Sequence, residues 1–288
     1  MLNNRILAIF AAIALAGPAA LAQTLDYTES DFAFETGARA ALAADVSLIP
    51  KTLTFSIGEE LRLEDNFSQL GRSYTTLGVD YKLLPWLKAG VSYSLIANNS
   101  SSKGWSIRNR GAFALTESWR ADRWRFSLRE KIQATNYGSD VNTYQQPQTL
   151  WALKTRFKAA YNIPHNKFDP YASAELRVLL NGANPKYFQY STATGLWCNT
   201  DPKYNDVYIN RLRLVAGGVY KTPDKNTLDV YLIADLKWDL DIDFNKSGWQ
   251  KHITNDSGVI TSTKDYLFLE DACFLGVGLT YTFKLGRR

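Results

Sequence analysis

The chain has 288 residues, 45% of them hydrophobic and 13% aromatic, a balance too apolar for disorder and too aromatic for a coiled coil. Lys and Arg total 33 against 28 Asp and Glu, a net charge of +5. The basic residues are spread along the chain, so the clustered basic face of a nucleic-acid binder is not expected. Two Cys, one Met and two His leave few parts for soft-metal, redox or imidazole chemistry, and no cofactor is expected.

Arg5 precedes an apolar run at 6–15, and Ala20, Leu21 and Ala22 precede Gln23 in the small-x-small pattern of a cleavage site. The run is too short to cross a bilayer as a helix. Residues 1–22 therefore read as a secretory signal peptide, and 23–288 as one domain. The absence of Cys after the cleavage point argues against a lipid anchor.

Beyond the leader, apolar residues recur with period two, the spacing that sends alternate side chains to opposite faces of a strand. In chain order the alternation covers 53–63, 77–83, 87–97, 124–128, 153–161, 172–178, 212–216, 228–240 and 275–283, with a less regular first strand at 32–45. Segments near ten residues suit tilted strands crossing a bilayer. The opposite face is ionic. It carries Glu60, Arg62 and Glu64, then Arg108 and Arg110, then Arg125, Arg129 and Lys131. Lys154, Arg156 and Lys158 follow, then Glu175 and Arg177, Arg211 and Arg213, and Asp229, Asp235 and Lys237. A β-sandwich is the alternative, but such rows suit a polar lumen in which opposite charges face and neutralise one another.

The connections alternate short and long, with long ones at 137–147, 181–206 and 244–264. Tyr81, Trp124, Tyr161, Tyr220 and Phe283 lie in the apolar register beside the short turns, and Trp105, Trp151 and Trp238 toward the long loops. This is the layout of two interfacial aromatic girdles. The expectation is an all-β, transmembrane antiparallel β-barrel in the cell outer membrane. Eleven strands are plain, and an even number is usual for bacterial barrels, so the count is set at twelve with ten as the alternative. A twelfth would come from 23–31, which otherwise threads back through the lumen.

Several segments resemble the outer-membrane barrels of Gram-negative bacteria grouped as the domain-of-unknown-function 2490 family. They are Glu59-Glu60-Leu61-Arg62, Leu77 to Lys82, Arg108-Asn109-Arg110, Ser127-Leu128-Arg129-Glu130, Pro170-Tyr171 with Glu175-Leu176-Arg177, and Tyr208 to Arg213. The resemblance spans nearly the whole mature chain and implies a fold and a location. It implies no activity.

An enzyme is not expected. His165 and His252 both fall in connections, where a base lacks a partner, and neither a Gly-x-Ser-x-Gly elbow nor a His-Glu-x-x-His pattern occurs. His252 beside Asp256 is the one candidate base for an envelope hydrolase, the weakest reading. Asp239, Asp241, Asp243 and Asn245 resemble a calcium loop but alternate with Leu240, Ile242 and Phe244 at strand period and lack a closing glutamate. Cys198, in the longest loop, and Cys273, in the last strand, are a permitted disulfide in a secreted chain. Glu59 and Glu130 sit in the lipid-facing register; a β-bulge turning each inward or an outer-wall contact with another membrane protein would account for them.

Two functions remain. The strands from 106 to 213 carry more inward bases than acids, which favours a narrow anion-preferring pore lined by Arg108, Arg110, Arg129, Arg156, Lys158, Arg177, Arg211 and Arg213. A structural or surface-interaction barrel with a filled bore and the loop 181–206 as contact surface is the alternative. Expected partners are outer-membrane lipid, small anionic solutes, and the secretion and barrel-assembly machinery.

Overall fold

The computed structural model describes residues 32–100, 104–141, 147–182, 188–191, 196–199, 204–240, 250–254, 260–265 and 269–286. The leader and the segment 23–31 lie outside them. The first eight strands are β1 (Phe32–Ile49), β2 (Leu53–Glu64), β3 (Gln69–Leu84), β4 (Leu87–Ser100), β5 (Gly104–Ala121), β6 (Trp124–Asn136), β7 (Thr149–Tyr161) and β8 (Phe168–Gly182). A hairpin of β9 (Phe188–Ser191) and β10 (Leu196–Asn199) interrupts the expected loop 181–206. Then come β11 (Asp206–Lys221), β12 (Thr227–Leu240), a second hairpin of β13 (Gln250–Thr254) and β14 (Ile260–Asp265), and β15 (Leu269–Leu285).

Eleven of these strands close a barrel in the order β1-β15-β12-β11-β8-β7-β6-β5-β4-β3-β2. Among the described residues the barrel thus has eleven strands, not the expected twelve or ten; the segment 23–31 lies outside the described residues. With an odd number the first and last strands run the same way, so β1 closes on β15 in parallel, from Phe32 opposite Asp271 to Val46 opposite Leu285. Parallel pairing is slightly weaker per residue than antiparallel, and this seam is filled by an aromatic ring. The Phe274 side chain lies over Gly37 and Gly276 so closely that a Cβ at either position would come within 2.8 Å of the ring. The glycines lend their backbone to the ring, and the ring replaces their missing side chains.

The barrel is inside out relative to a soluble protein. Leu232 is 64% exposed and Leu42 61%, while Asn210 and Asp235 are the largest fully buried side chains. The apolar rows thus form the outer surface, not the filling between two sheets. Trp124, Phe126 and Tyr161 cluster beside the short-turn rim with Trp119 and Phe157, Tyr161 edge-on to Trp124 and ring centroids 5.0 to 6.3 Å apart. Trp105, Trp151 and Trp238 are exposed toward the other rim.

The loop alternation is one-sided. Short links join β1 to β2, β3 to β4 and β5 to β6, but β2–β3 and β4–β5 are also joined tightly, because β3 starts at Gln69 and β4 runs on to Ser100. Long connections belong to the rim over β6 to β15.

Candidate functional site

The inward face of a strand is fixed by its alternation, and continuous register carries that choice round the barrel. All eleven residues expected in the lumen lie on inward positions of their strands. Their direct cross-strand partners are mixed: Arg213 faces both Glu175 and Asp235, and Glu175 also faces Arg156, while several others face a like charge. Arg39 faces Arg62 and Arg62 faces Arg72. Arg129 faces Arg156, and a single row runs Lys131, Lys154, Arg177, Arg211, Lys237 across β6, β7, β8, β11 and β12. Facing like charges are destabilising, so beside the direct neutralisation of Arg213 by Asp235, the side chains of Arg39, Arg129 and Arg211 reach past the residues they face to a few acids.

Asp235, 1% exposed, is the hub of that arrangement. Its carboxylate lies 2.6 Å from Arg213, 3.6 Å from Arg39 and 3.7 Å from Arg211. Glu175 accepts from Arg129 at 2.9 Å and stands 3.9 Å from Arg213. Glu60 pairs with Arg62, whose guanidinium also lies 4.1 Å from the Tyr74 ring centroid. Acids thus serve the wall from β8 through β15 and β1 to β2.

Among the described residues, three chambers with charged side chains in their walls lie along the bore. The one toward the long-loop rim measures about 320 Å³, with Glu35, Glu64, Arg72, Arg211 and Lys237 in its wall. The central one, about 370 Å³, is lined by nine basic and three acidic side chains. The one at the short-turn rim, about 650 Å³, contains Lys82, Lys88, Arg125 and Lys221 with Asp80 and Asp169. Arg39 and Arg62 line both the first and the central chamber. Lys158 and Tyr171 line both the central chamber and the last. Lys158 sits 3.4 Å over the Tyr171 ring, and the Tyr171 hydroxyl donates to Asp229 at 3.0 Å.

The central chamber gathers Glu60, Arg62, Arg110, Arg129, Arg156, Lys158, Glu175 and Arg213. Arg211 belongs to the neighbouring chamber. Arg108 and Arg177 are engaged elsewhere: Arg108 lies 4.8 Å from the Tyr137 ring and Arg177 donates to Asn210 at 2.6 Å. Arg39, Tyr74 and Gln133 are among the lining residues that alternation did not single out. Arg39 is hidden because Ala38, Ala40, Ala41 and Ala43 give β1 no contrast between faces. Tyr74 and Gln133 are inward but do not read as charged lining.

Cys273 carries a free thiol and points in the outer register, while the side chain of Cys198 lies outside the described residues. So do the side chain of His252 and residues 241–249 of the acidic run. His165 is exposed in the β7–β8 turn. Among the described residues no group of three or more His, Cys, Asp or Glu converges as a metal site. Glu59 and Glu130 stay on the outer wall, since the register is unbroken at both and no bulge inverts them. Hydroxyls clamp them instead. Ser73 and Thr75 donate to Glu59, the latter at 2.6 Å, and Thr155 donates to Glu130 at 2.7 Å.

A family model described as "Protein of unknown function (DUF2490)" matches residues 41–241, from within β1 to just past β12. No curated protein and no solved structure matches the chain.

Proposed function

Because the chain belongs to the DUF2490 family, whose description assigns no activity, we propose its function from its wall and bore: an outer-membrane β-barrel, exported by a cleaved leader, whose lumen is a narrow anion-preferring passage. The outward apolar rows and the two aromatic levels support the membrane part, since exposing such rows to water is costly and exposing them to hydrocarbon is not. The observation that carries the anion preference is the central chamber, with nine basic and three acidic side chains in its wall. A charge ring of one sign raises the local concentration of the opposite ion and lowers its barrier. Lys158 and Tyr171 on one side, and Arg39 and Arg62 on the other, set the narrow points.

A planar bilayer holding the refolded full chain tests this. Small currents with a reversal potential on the anion side are the expected result. Cation selectivity would overturn the sign of the passage, and a folded barrel that carries no current would overturn the passage itself. The narrow points, one ion-paired through Arg39 and Arg62 and the other a cation over a ring, also favour a second reading, a side-chain-filled barrel serving as an envelope or surface-contact scaffold. The silent outcome selects it.

A further inference from the structure

We propose that the β6–β7 wall of the central chamber is a binding site for a small multivalent oxyanion of the phosphate class, held by Lys131, Lys154 and Arg156 with Arg129 and Gln133 beside them. The proposal rests on the anion-passage reading of the same bore and goes further: an anion preference needs only a mean positive potential, whereas this is a discrete, saturable site.

The three cations share a condition unlike that of their neighbours. Around the same chamber Arg39, Arg62, Arg129 and Arg213 reach a carboxylate. Arg110 donates to the Thr135 hydroxyl, and Lys158 covers a ring. Lys131, Lys154 and Arg156 make no hydrogen bond and no ion pair among the described residues. They are nevertheless pressed together. Lys131 directly faces Lys154, and Arg156, the next inward residue after Lys154, directly faces Arg129. Facing residues in a sheet have Cβ atoms about 5 Å apart, so all four heads compete for one corner of the bore. The acid in reach, Glu175, opposite Arg156, is already taken by Arg129 and Arg213.

Two buried groups point the same way. Gln133, the next inward residue of β6 after Lys131, is 4% exposed, and its Oε1 has no hydrogen-bond partner. A half-turn of that amide presents an N–H to the chamber. The Nε of Arg129 is likewise buried with no acceptor. Unpaired buried donors are costly, and an oxyanion supplies acceptors to Arg129, the turned amide and the three bare cations at once. The guanidinium of Arg156 grips two oxygens in one plane, and the two ammonium groups take the others as point charges. A volume of about 370 Å³ holds a tetrahedral oxyanion with several waters, each about 30 Å³. A halide brings one charge to three cations and cannot be gripped in that fork. Lys158, two residues further along β7 and about 7 Å away by strand rise, lines the next chamber as well and gives a released anion its next station.

Isothermal titration of the full chain, refolded in detergent and in chloride buffer, with inorganic phosphate is the experiment. A saturable isotherm near one equivalent is expected. Lys154→Met and Lys131→Met should each weaken it at least tenfold, Lys154→Arg should retain most of it, and Arg123→Gln, in an exposed turn, should leave it unchanged. Thermal melting guards against misfolding: phosphate should raise the wild-type melting temperature and leave that of Lys154→Met where it was, even though the variant, relieved of repulsion, folds at least as well. No saturable phosphate binding by the folded wild type, or binding indifferent to both methionine variants, overturns the site. Phosphate binding in a barrel that passes no current would keep the site and remove the passage, so the two claims fail separately.

Discussion

Two sectors of one bore use the same residue types to opposite ends. From β8 round to β2, arginines crowd Asp235, Glu60 and Glu175 and lock neighbouring strands together. On β6 and β7, Lys131, Lys154 and Arg156 stand in equally crowded rows, and the acid that faces them, Glu175 opposite Arg156, is engaged by Arg129 and Arg213. Both sectors bear the cost of facing like charges. Only one contains its own compensation, which makes the first sector structural and leaves the second a place for something that arrives from outside.

The largest effect should come from breaking the compensated side. Asp235→Asn removes the charge that three arginines share. Losing one partner of a buried ion network costs about 3–5 kcal/mol, so the urea midpoint of the barrel in lipid vesicles should fall markedly. An unchanged midpoint would mean that water already screens those arginines, and the two sectors would not differ in kind. Next in size is the functional counterpart. Arg156→Glu should lower the anion-to-cation permeability ratio about tenfold, an amount equal to roughly 1.4 kcal/mol of barrier. Arg177→Glu should do much less, because Arg177 is engaged with Asn210. Equal effects would spread the selectivity over the whole positive row.

A third substitution converts one sector into the other. Gln133→Glu places a carboxylate two residues from Lys131, on the same inward face and in the wall of the same chamber. It should stabilise the fold by about 1 kcal/mol, less than the roughly 1.5–3 kcal/mol of a hydrogen bond to a charged group because burying the new carboxylate offsets part of the gain. It should also abolish phosphate binding in the titration. Stabilisation with phosphate binding intact would show that the bare cations lack the vacancy ascribed to them.

Much of this architecture was legible in the sequence, because alternation is a local property. Rows such as Arg129 and Lys131 on β6, or Lys154, Arg156 and Lys158 on β7, announce both their strand and its inward face. What stayed hidden depends on partners remote in the chain. The parallel β1–β15 closure, and with it the odd strand number, brings together Gly37, Gly276 and the Phe274 ring, which meet only when the barrel closes. The division into compensated and bare sectors depends on which acids come to face or reach which arginines from other strands, which alternation along one strand does not encode. Glu59 and Glu130 broke the pattern and invited a bulge. The hydroxyls that answer them, on Ser73, Thr75 and Thr155, come from neighbouring strands and give no signal at the glutamates themselves.

The smallest expected change tests where the boundary between the sectors falls. Lys158 lies on the bare strand β7, yet it has a partner of a kind in the Tyr171 ring, 3.4 Å below its ammonium group. A cation over a ring contributes about 0.5–1 kcal/mol when solvent is near, and removing it also relieves repulsion from Arg156, the next inward residue. Lys158→Met should therefore shift the urea midpoint by the equivalent of less than about 1 kcal/mol, far below the effect of Asp235→Asn. Its Tyr171 hydroxyl, still donating to Asp229, holds the lower narrow point in place. A loss as large as that of Asp235→Asn would make Lys158 a structural cation, and the line between the two sectors would have to be redrawn through the middle of β7, between Arg156 and Lys158.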